Sequence, residues 1–346
     1  MRLAASDLYA VIAKGLNCKS GLTHGAYLRL ESLRGADYNT TGLEMHFRVL
    51  FELVSVPHAA DFATHWKSRE TDIQLSPTTT SSAQLTPGNI CSALTNIAQK
   101  NQTVPFGSPS MTGNAHFMVQ AVAEPMALDK PRSSTRLSQL LGRSKGQLVE
   151  TTRRWYTWHR AEVALTLAYA VLQFGCSPWL GKSWKSDDIQ LIADGSGERV
   201  ISKWQLFVAR TFQASLQPTL APDGPECAAS NQSGPRVRNR ELYALSLVLL
   251  ELAFNMPLTE KRTQQDVLDG GQSEALIDYH KAARLIDNDL IYEMGPEYTA
   301  VLGRCLYGFD LDTHDLDSET FHAAVCGGII RPLEDNLRAR APPGWL

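Results

Sequence analysis

Residues 240–254 read Arg-Glu-Leu-Tyr-Ala-Leu-Ser-Leu-Val-Leu-Leu-Glu-Leu-Ala-Phe, with apolar side chains on nearly every face of the helix they predict. A helix that is apolar all round is buried on all sides rather than laid on a surface. Upstream, Gln217–Arg240 holds four prolines and predicts a long exposed loop. Before that loop, two short apolar runs, Ile189–Ile192 and Val200-Ile201, flank Asp194–Gly197 and predict a β-hairpin. An irregular stretch with Trp179 and Trp184 precedes the hairpin, and a long amphipathic-to-apolar helix is expected over Arg153–Phe174. Val163–Gly181 carries no charge, but its apolar part stops near Phe174, where Gly175, Cys176, Ser177 and Pro178 follow. About 12 apolar residues fall short of the roughly 20 that a bilayer requires, so this too reads as a buried helix. Downstream, helices are expected at Ser273–Ile286, Pro296–Tyr307 and Ser318–Leu337, the last broken near Gly327-Gly328.

The first third of the chain has a different period. Ala26–Ser32, Phe47–Val56, Thr71–Ser76 and His116–Glu124 are short runs rich in β-branched and aromatic residues, with one helix between them at Asn89–Gln99. Ser76–Thr86 and Pro125–Thr135 read as loops, the second as a lobe boundary. The expected class is therefore α+β: a small β-rich lobe over 1–130, a larger mainly α-helical lobe over 131–338, and a tail over 339–346. No internal repeat is found.

Composition bounds the partners. The 346 residues include 33 Lys+Arg and 36 Asp+Glu, a formal charge of -3, which leaves no basic footprint for nucleic acid. Hydrophobic residues at 43% and charged ones at 20% describe a chain able to build a core rather than a disordered one. Cysteines at 18, 91, 176, 227, 305 and 326 form no Cys-x-x-Cys pair and no zinc-ligand spacing, so reduced thiols in a cytoplasmic protein are expected. Met1–Leu16 carries Asp7 and Lys14 inside its apolar stretch and makes a poor signal peptide.

Several motifs fail their physical requirements. Gly175…Gly181-Lys182-Ser183 has five residues between its glycines, where a P-loop needs four, and it follows a helix where a strand is required. Asp310, Asp312, Asp315, Asp317 and Glu319 lack the glycine and glutamate positions of a calcium loop, which leaves a solvated cluster with Asp317 or Ser318 as helix N-cap. Gly271-Gln272-Ser273-Glu274-Ala275 has no strand before it, so Ser273 reads as an N-cap rather than a nucleophile. His116 and His159 have no ligand or triad partner in sequence and read as structural or surface histidines.

What survives is an ordered series. A buried helix, a Trp-rich loop, Asp188-Ile189-Gln190-Leu191-Ile192 entering a hairpin, a Pro-rich loop, and the buried helix Glu241–Leu252 follow one another. That order resembles the C-terminal lobe of a protein kinase, where a helix leads to the catalytic loop, a short hairpin and an activation segment precede a central buried helix, and Glu241, Tyr243, Leu245, Glu251 and Leu252 fall at similar positions. Ser177-Pro178-Trp179-Leu180, Trp184, Asp187-Asp188-Ile189, Cys305-Leu306 and Arg331-Pro332-Leu333-Glu334 are similar to a fungal kinase-like family of unknown function. Its members often accompany prion-inhibition and propagation (HeLo-like) domains in incompatibility and cell-death signalling. The likeness spans residues 20 to 338 and is strongest after 136; it implies a two-lobed protein-kinase-like fold.

The chemistry of phosphoryl transfer is largely missing from that frame. With Asp188 at the metal-binding asparagine position, Ser183 stands where the catalytic aspartate belongs, and no aspartate lies between Gly195 and Pro222. The predicted strands contain no lysine, Asn89–Gln99 contains no glutamate, and no Gly-x-Gly-x-x-Gly occurs. The resemblance therefore implies a catalytically inactive, pseudokinase-like interaction or regulatory domain with unidentified protein partners, no cofactor, no catalytic or metal residues, no nucleic acid and no membrane span. Asp187 and Asp188 are the residual candidates for metal–nucleotide binding, with a loop or N-cap role as the competing reading. Trp179 and Trp184 are expected as loop anchors, and Glu241 and Glu251 as structural acids of the buried helix, Glu241 fastening the loop before the hairpin. Two alternatives stand beside this: a divergent phosphotransferase using Asp187 and Asp188, and a scaffold with a closed cleft.

Overall fold

The computed structural model describes residues 2–16, 23–31, 46–54, 68–77, 94, 104–106, 115–122, 134–141, 157–193, 204–213 and 237–343. Outside the described residues lie the expected helix Asn89–Gln99 apart from Leu94, which is helical and buried, and most of the loops Ser76–Thr86, Pro125–Thr135 and Gln217–Arg240. The predicted hairpin turn Asp194–Gly197 and its second run, Val200-Ile201, lie outside them as well.

Within this frame the chain is a mixed α+β protein. Eight strands form one sheet: β1 (Thr23–Leu30), β2 (His46–Val54), β3 (Ser68–Pro77), β4 (Val104–Phe106), β5 (Ala115–Ala121), β6 (Ser134–Arg136), β7 (Ile189–Ala193) and β8 (Trp204–Gln213). Their order is β4-β5-β3-β2-β1-β8-β7-β6, and every neighbouring pair is antiparallel. The four strands expected in the first third are β1, β2, β3 and β5. Of the predicted hairpin, Ile189–Ile192 falls in β7; β8 pairs antiparallel with β7 and continues the sheet directly onto β1, with Ala26 facing Arg210. Strands from both sides of residue 130 thus share one sheet.

Alternation sets the faces. Ala26, Leu28 and Leu30 of β1, Phe47, Val49 and Phe51 of β2, and Leu206, Val208 and Phe212 of β8 enter the main core. Leu50, Ile192 and Phe207 form a small second cluster that Tyr27 packs against. Arg210 falls in the core-facing set of β8, between Val208 and Phe212. A period of two forces it toward the interior, and it needs partners there.

The helices are α1 (Arg2–Gly15), α2 (Leu137–Leu140), α3 (Thr157–Phe174), α4 (Arg240–Phe254), α5 (Gln264–Gly270), α6 (Glu274–Arg284), α7 (Leu290–Met294), α8 (Pro296–Tyr307), α9 (Glu319–Val325) and α10 (Arg331–Arg340). Short 3-10 turns occupy Ser186–Asp188 and Leu258–Lys261, and π turns occupy Leu285–Asp289 and Cys326–Ile330. The sequence reading of an irregular, strand-rich start needs correction, because residues 2–15 are helical. Ala4, Ala5, Leu8 and Ile12 line one stripe at helical spacing and are buried. The break expected near Gly327-Gly328 is instead a π turn that passes helix into helix. A Cβ on Gly328 would meet the Phe309 ring at 2.7 Å, so the close approach requires glycine.

α4 is the hub, as its composition predicts. Asn239 caps it by accepting from Leu242 N–H at 2.8 Å and donates through Nδ2 to the His314 carbonyl at 2.9 Å. Tyr298 Oη donates to the Leu249 carbonyl at 3.0 Å. At the far end the Arg160 guanidinium, from α3, donates to the Leu252 and Ala253 carbonyls, both at 2.8 Å. Those carbonyls have no partner within the helix, and the cation sits at its negative end. Ser273 caps α6, accepting from Leu276 N–H, as expected. No described helix is long and apolar enough to cross a membrane.

Candidate functional site

Residues 175–188 join α3 to β7, and every site residue predicted from sequence lies on this segment or on α4, which packs against it. The segment turns sharply after α3: Ser177 N–H donates to Phe174 O at 3.0 Å, and Gly181 N–H donates to Ser177 O at 2.9 Å. Cys176 and Gly181 both adopt left-handed backbone, each with φ 62°. Trp179 is completely buried. Its indole N–H donates to the Ala5 carbonyl of α1 at 3.0 Å, and Tyr9 meets the ring edge-on at 5.5 Å. Trp184 is buried as well, its indole N–H reaching no acceptor among the described residues. Both tryptophans are thus packed into the protein, and Trp179 ties the segment to the N-terminal helix.

Asp187 and Asp188 form the 3-10 turn, and each carboxylate meets donors from the protein itself. Asp188 Oδ2 accepts from the Lys185 N–H at 2.9 Å, the short-range cap of its own turn. Asp188 Oδ1 accepts from Arg210 Nη1 at 3.1 Å, and Arg210 Nε also donates to the Pro178 carbonyl at 3.1 Å. One guanidinium therefore holds both ends of the loop. Asp187 accepts from the Ser138 hydroxyl of α2, so the segment that leaves β6 also clasps the turn. Arg210 stands beside the carboxylate as its counter-charge.

The two α4 acids sit deeper. Glu241, in the first turn of α4, is 5% exposed and accepts from Cys176 Sγ at 3.1 Å. The left-handed turn at Cys176 brings the thiol to it. A carboxylate in the first turn also suits the positive end of the helix. Glu251, near the other end, accepts from Leu258 N–H at 3.1 Å and from the Ser186 hydroxyl. Burial raises its carboxyl above the ordinary range; those two bonds and the Lys281 ammonium pull it back, and Asp187 adds to the rise. Lys281 is 1% exposed and bonds Asp278 at 2.7 Å. The turn at Ser186–Asp188 is thereby held at Ser186 by Glu251, at Asp188 by Arg210 and at Asp187 by Ser138.

Among the described residues no group of three or more His, Cys, Asp or Glu side chains converges to hold a metal ion. Sequence reasoning missed Arg210, Ser138, Ser186 and Lys281. Arg210 alone carried a readable signal: a lone arginine at an apolar position of an alternating strand must face a carboxylate or a carbonyl. Gly175 and Gly181 of the rejected phosphate motif belong to the 175–188 segment as turn residues, whereas Ser273 and Asp317 lie elsewhere, Asp317 in an ion pair with Arg2 at 3.1 Å.

A family model described as Domain of unknown function (DUF7580) matches residues 1–340. No curated protein matches the chain.

Proposed function

We propose, on the premise that the chain belongs to the family called Domain of unknown function (DUF7580), that it is a kinase-like, two-lobed but non-catalytic interaction and regulatory domain. The observation that carries the reading is the Arg210–Asp188 pair at 3.1 Å. In phosphoryl transfer the carboxylate or amide at this point of the loop faces a metal ion and the nucleotide phosphates. Here a guanidinium neutralises it, and the same guanidinium fastens Pro178, so a metal would have to displace a structural cation. Glu241 supports the kinase-like part by reaching from the first turn of the central helix to the start of the loop, although its partner there is the Cys176 thiol and the resemblance implies the loop backbone. Fold likeness alone carries no activity, so the reading rests on this site. The role in fungal incompatibility or cell-death signalling is the biological setting that the resemblance suggests, with a protein as the partner and the cytoplasm as the compartment.

Thermal unfolding with and without millimolar Mg-ATP tests it. Ligand at about a hundred times its dissociation constant adds about 2.7 kcal/mol, a visible rise in Tm. The expected result is no magnesium-dependent rise in the intact protein. A rise that disappears in Asp188→Ala would overturn the reading and make the protein a divergent phosphotransferase using Asp187 and Asp188.

A further inference from the structure

On the helical part of the protein, α6, the π turn, α7 and α8 expose tyrosines beside carboxylates. Tyr292 is 88% exposed, and Ile291 and Tyr307 are 45% and 41% exposed. Tyr307 Oη donates to both Asp287 carboxylate oxygens at 3.1 Å. Tyr279 lies beside Tyr307, and burial, Asp287 and Tyr279 together raise the Tyr307 phenol above its ordinary pKa. The π turn at Leu285–Asp289 carries Asp287 and Asp289, and such widened turns recur at functional positions. From Leu285 to Tyr307 the chain contains Asp287, Asp289, Glu293 and Glu297 and one cation, Arg304, which donates to the Gly328 carbonyl at 3.0 Å. The cations at the rim are already engaged. Arg284 bonds Asp266, the Lys261 carbonyl and Asp289, and Arg340 bonds the Met294 carbonyl and Asn336. Lys281 is buried against Asp278.

We infer that this tyrosine–aspartate face, centred on Tyr292, Ile291, Tyr307 and Asp287, docks a basic peptide segment of a partner protein that alternates arginine with an apolar anchor. The chemistry is complementary on both counts. Guanidinium groups stack on tyrosine faces and pair with carboxylates, while an aliphatic side chain covers Ile291. Tyrosine is among the residues on which interfaces concentrate their energy. The inference names the partner chemistry of the interaction domain proposed above and rests on that reading.

The test titrates the full-length protein into a fluorescein-labelled peptide of alternating arginine and leucine, with a glutamate–leucine peptide as the charge-reversed control, read by fluorescence anisotropy. Saturable binding of the arginine peptide alone is expected, weakening as salt rises. Tyr292→Ser, at an exposed position that leaves the fold intact, and Asp287→Asn should each weaken it about tenfold, while Asp312→Asn on the acidic loop leaves it unchanged. Equal binding of both peptides, no binding of either, or affinity indifferent to Tyr292→Ser and Asp287→Asn overturns the inference. Self-association that is lost in Tyr292→Ser, with no peptide bound, overturns it in favour of a second copy of the chain. None of these outcomes touches the Mg-ATP result, so the two readings fail separately.

Discussion

Replacing Arg210 by methionine keeps the length of the stem in the β8 face and removes only the guanidinium. That group donates to Asp188 at 3.1 Å, to Pro178 O at 3.1 Å and to Ala209 O at 3.0 Å, with about a fifth of the side chain exposed. A hydrogen bond to a charged acceptor contributes about 1.5–3 kcal/mol, and one to a carbonyl about 1 kcal/mol. Water reaches the partly exposed Asp188 and recovers part of the loss, so Arg210→Met should cost about 2–3 kcal/mol. Urea denaturation would show this as a fall in midpoint at unchanged slope. Asp188→Asn retains an acceptor for Lys185 N–H but discards the charge. In a double-mutant cycle the two substitutions should then couple by about 1–2 kcal/mol, because each removes the same pair. Additivity to within about 0.3 kcal/mol would refute the idea that the guanidinium holds this carboxylate. The cycle also bears on function. If Arg210 occupies the place of a metal, Arg210→Met frees Asp188, and magnesium should raise Tm more in this variant than in the intact protein.

Four further outcomes follow from the same geometry. Glu241→Ala, which removes the acceptor of the Cys176 thiol and opens a void at a buried position, should destabilise by about 2 kcal/mol, and Glu241→Gln by clearly less; equal losses in chemical unfolding would remove the fastening role. Arg160→Met leaves the Leu252 and Ala253 carbonyls buried without donors and should cost about 2–4 kcal/mol, with amide exchange quickening first in the last turn of α4. His159 is buried and its imidazole pKa is lowered to about 4 by burial, so the unfolded chain takes up the proton first. Stability from this group is full above about pH 6.5 and lost as pH falls toward about 4, up to about 3 kcal/mol, and His159→Asn should flatten that limb of a Tm–pH curve. Asp266 accepts two bonds from Arg284, both at 2.9 Å, and one from Thr263 N–H at 2.7 Å. Arg284 is the main reason its carboxyl stays well below the usual range. Its contribution persists above about pH 4 and fades below, so Asp266→Asn should cost about 3 kcal/mol at neutral pH and less in acid.

The elements legible in the sequence were those whose pattern is local. Arg240–Phe254 announces itself because no face offers water a polar residue, and Pro296–Tyr307 because proline opens it and Gly308 closes it. The core strands show their period in Phe47, Val49 and Phe51. The N-terminal helix carried its stripe of Ala4, Ala5, Leu8 and Ile12, but small alanines give a weak apolar signal, and its fit depends on Trp179, far along the chain. β8 was obscured because Arg210 interrupts the alternation of Leu206, Val208 and Phe212. Its pairing with β1 is a non-local choice that no window of sequence contains. The site was legible to the same extent. Asp187, Asp188, Glu241 and Glu251 could be named from position, whereas Ser138, Ser186 and Lys281 are common residue types whose role exists only once the turn, α2 and α6 are brought together.

The junction between β1 and β8 also constrains how the molecule is made. β1 emerges early from the ribosome and finds β2 at once, but its other edge has no mate until residue 213 has been synthesised. Through that interval a strand bearing Ala26, Leu28 and Leu30 presents an open row of amides and carbonyls, the arrangement that recruits wrong partners. Closing the sheet joins segments far apart in the chain, which slows the final step. The nascent protein is therefore most vulnerable while translation crosses the stretch between β6 and β8, and slow codons or a chaperone site there would matter more to yield than the same features placed after α4.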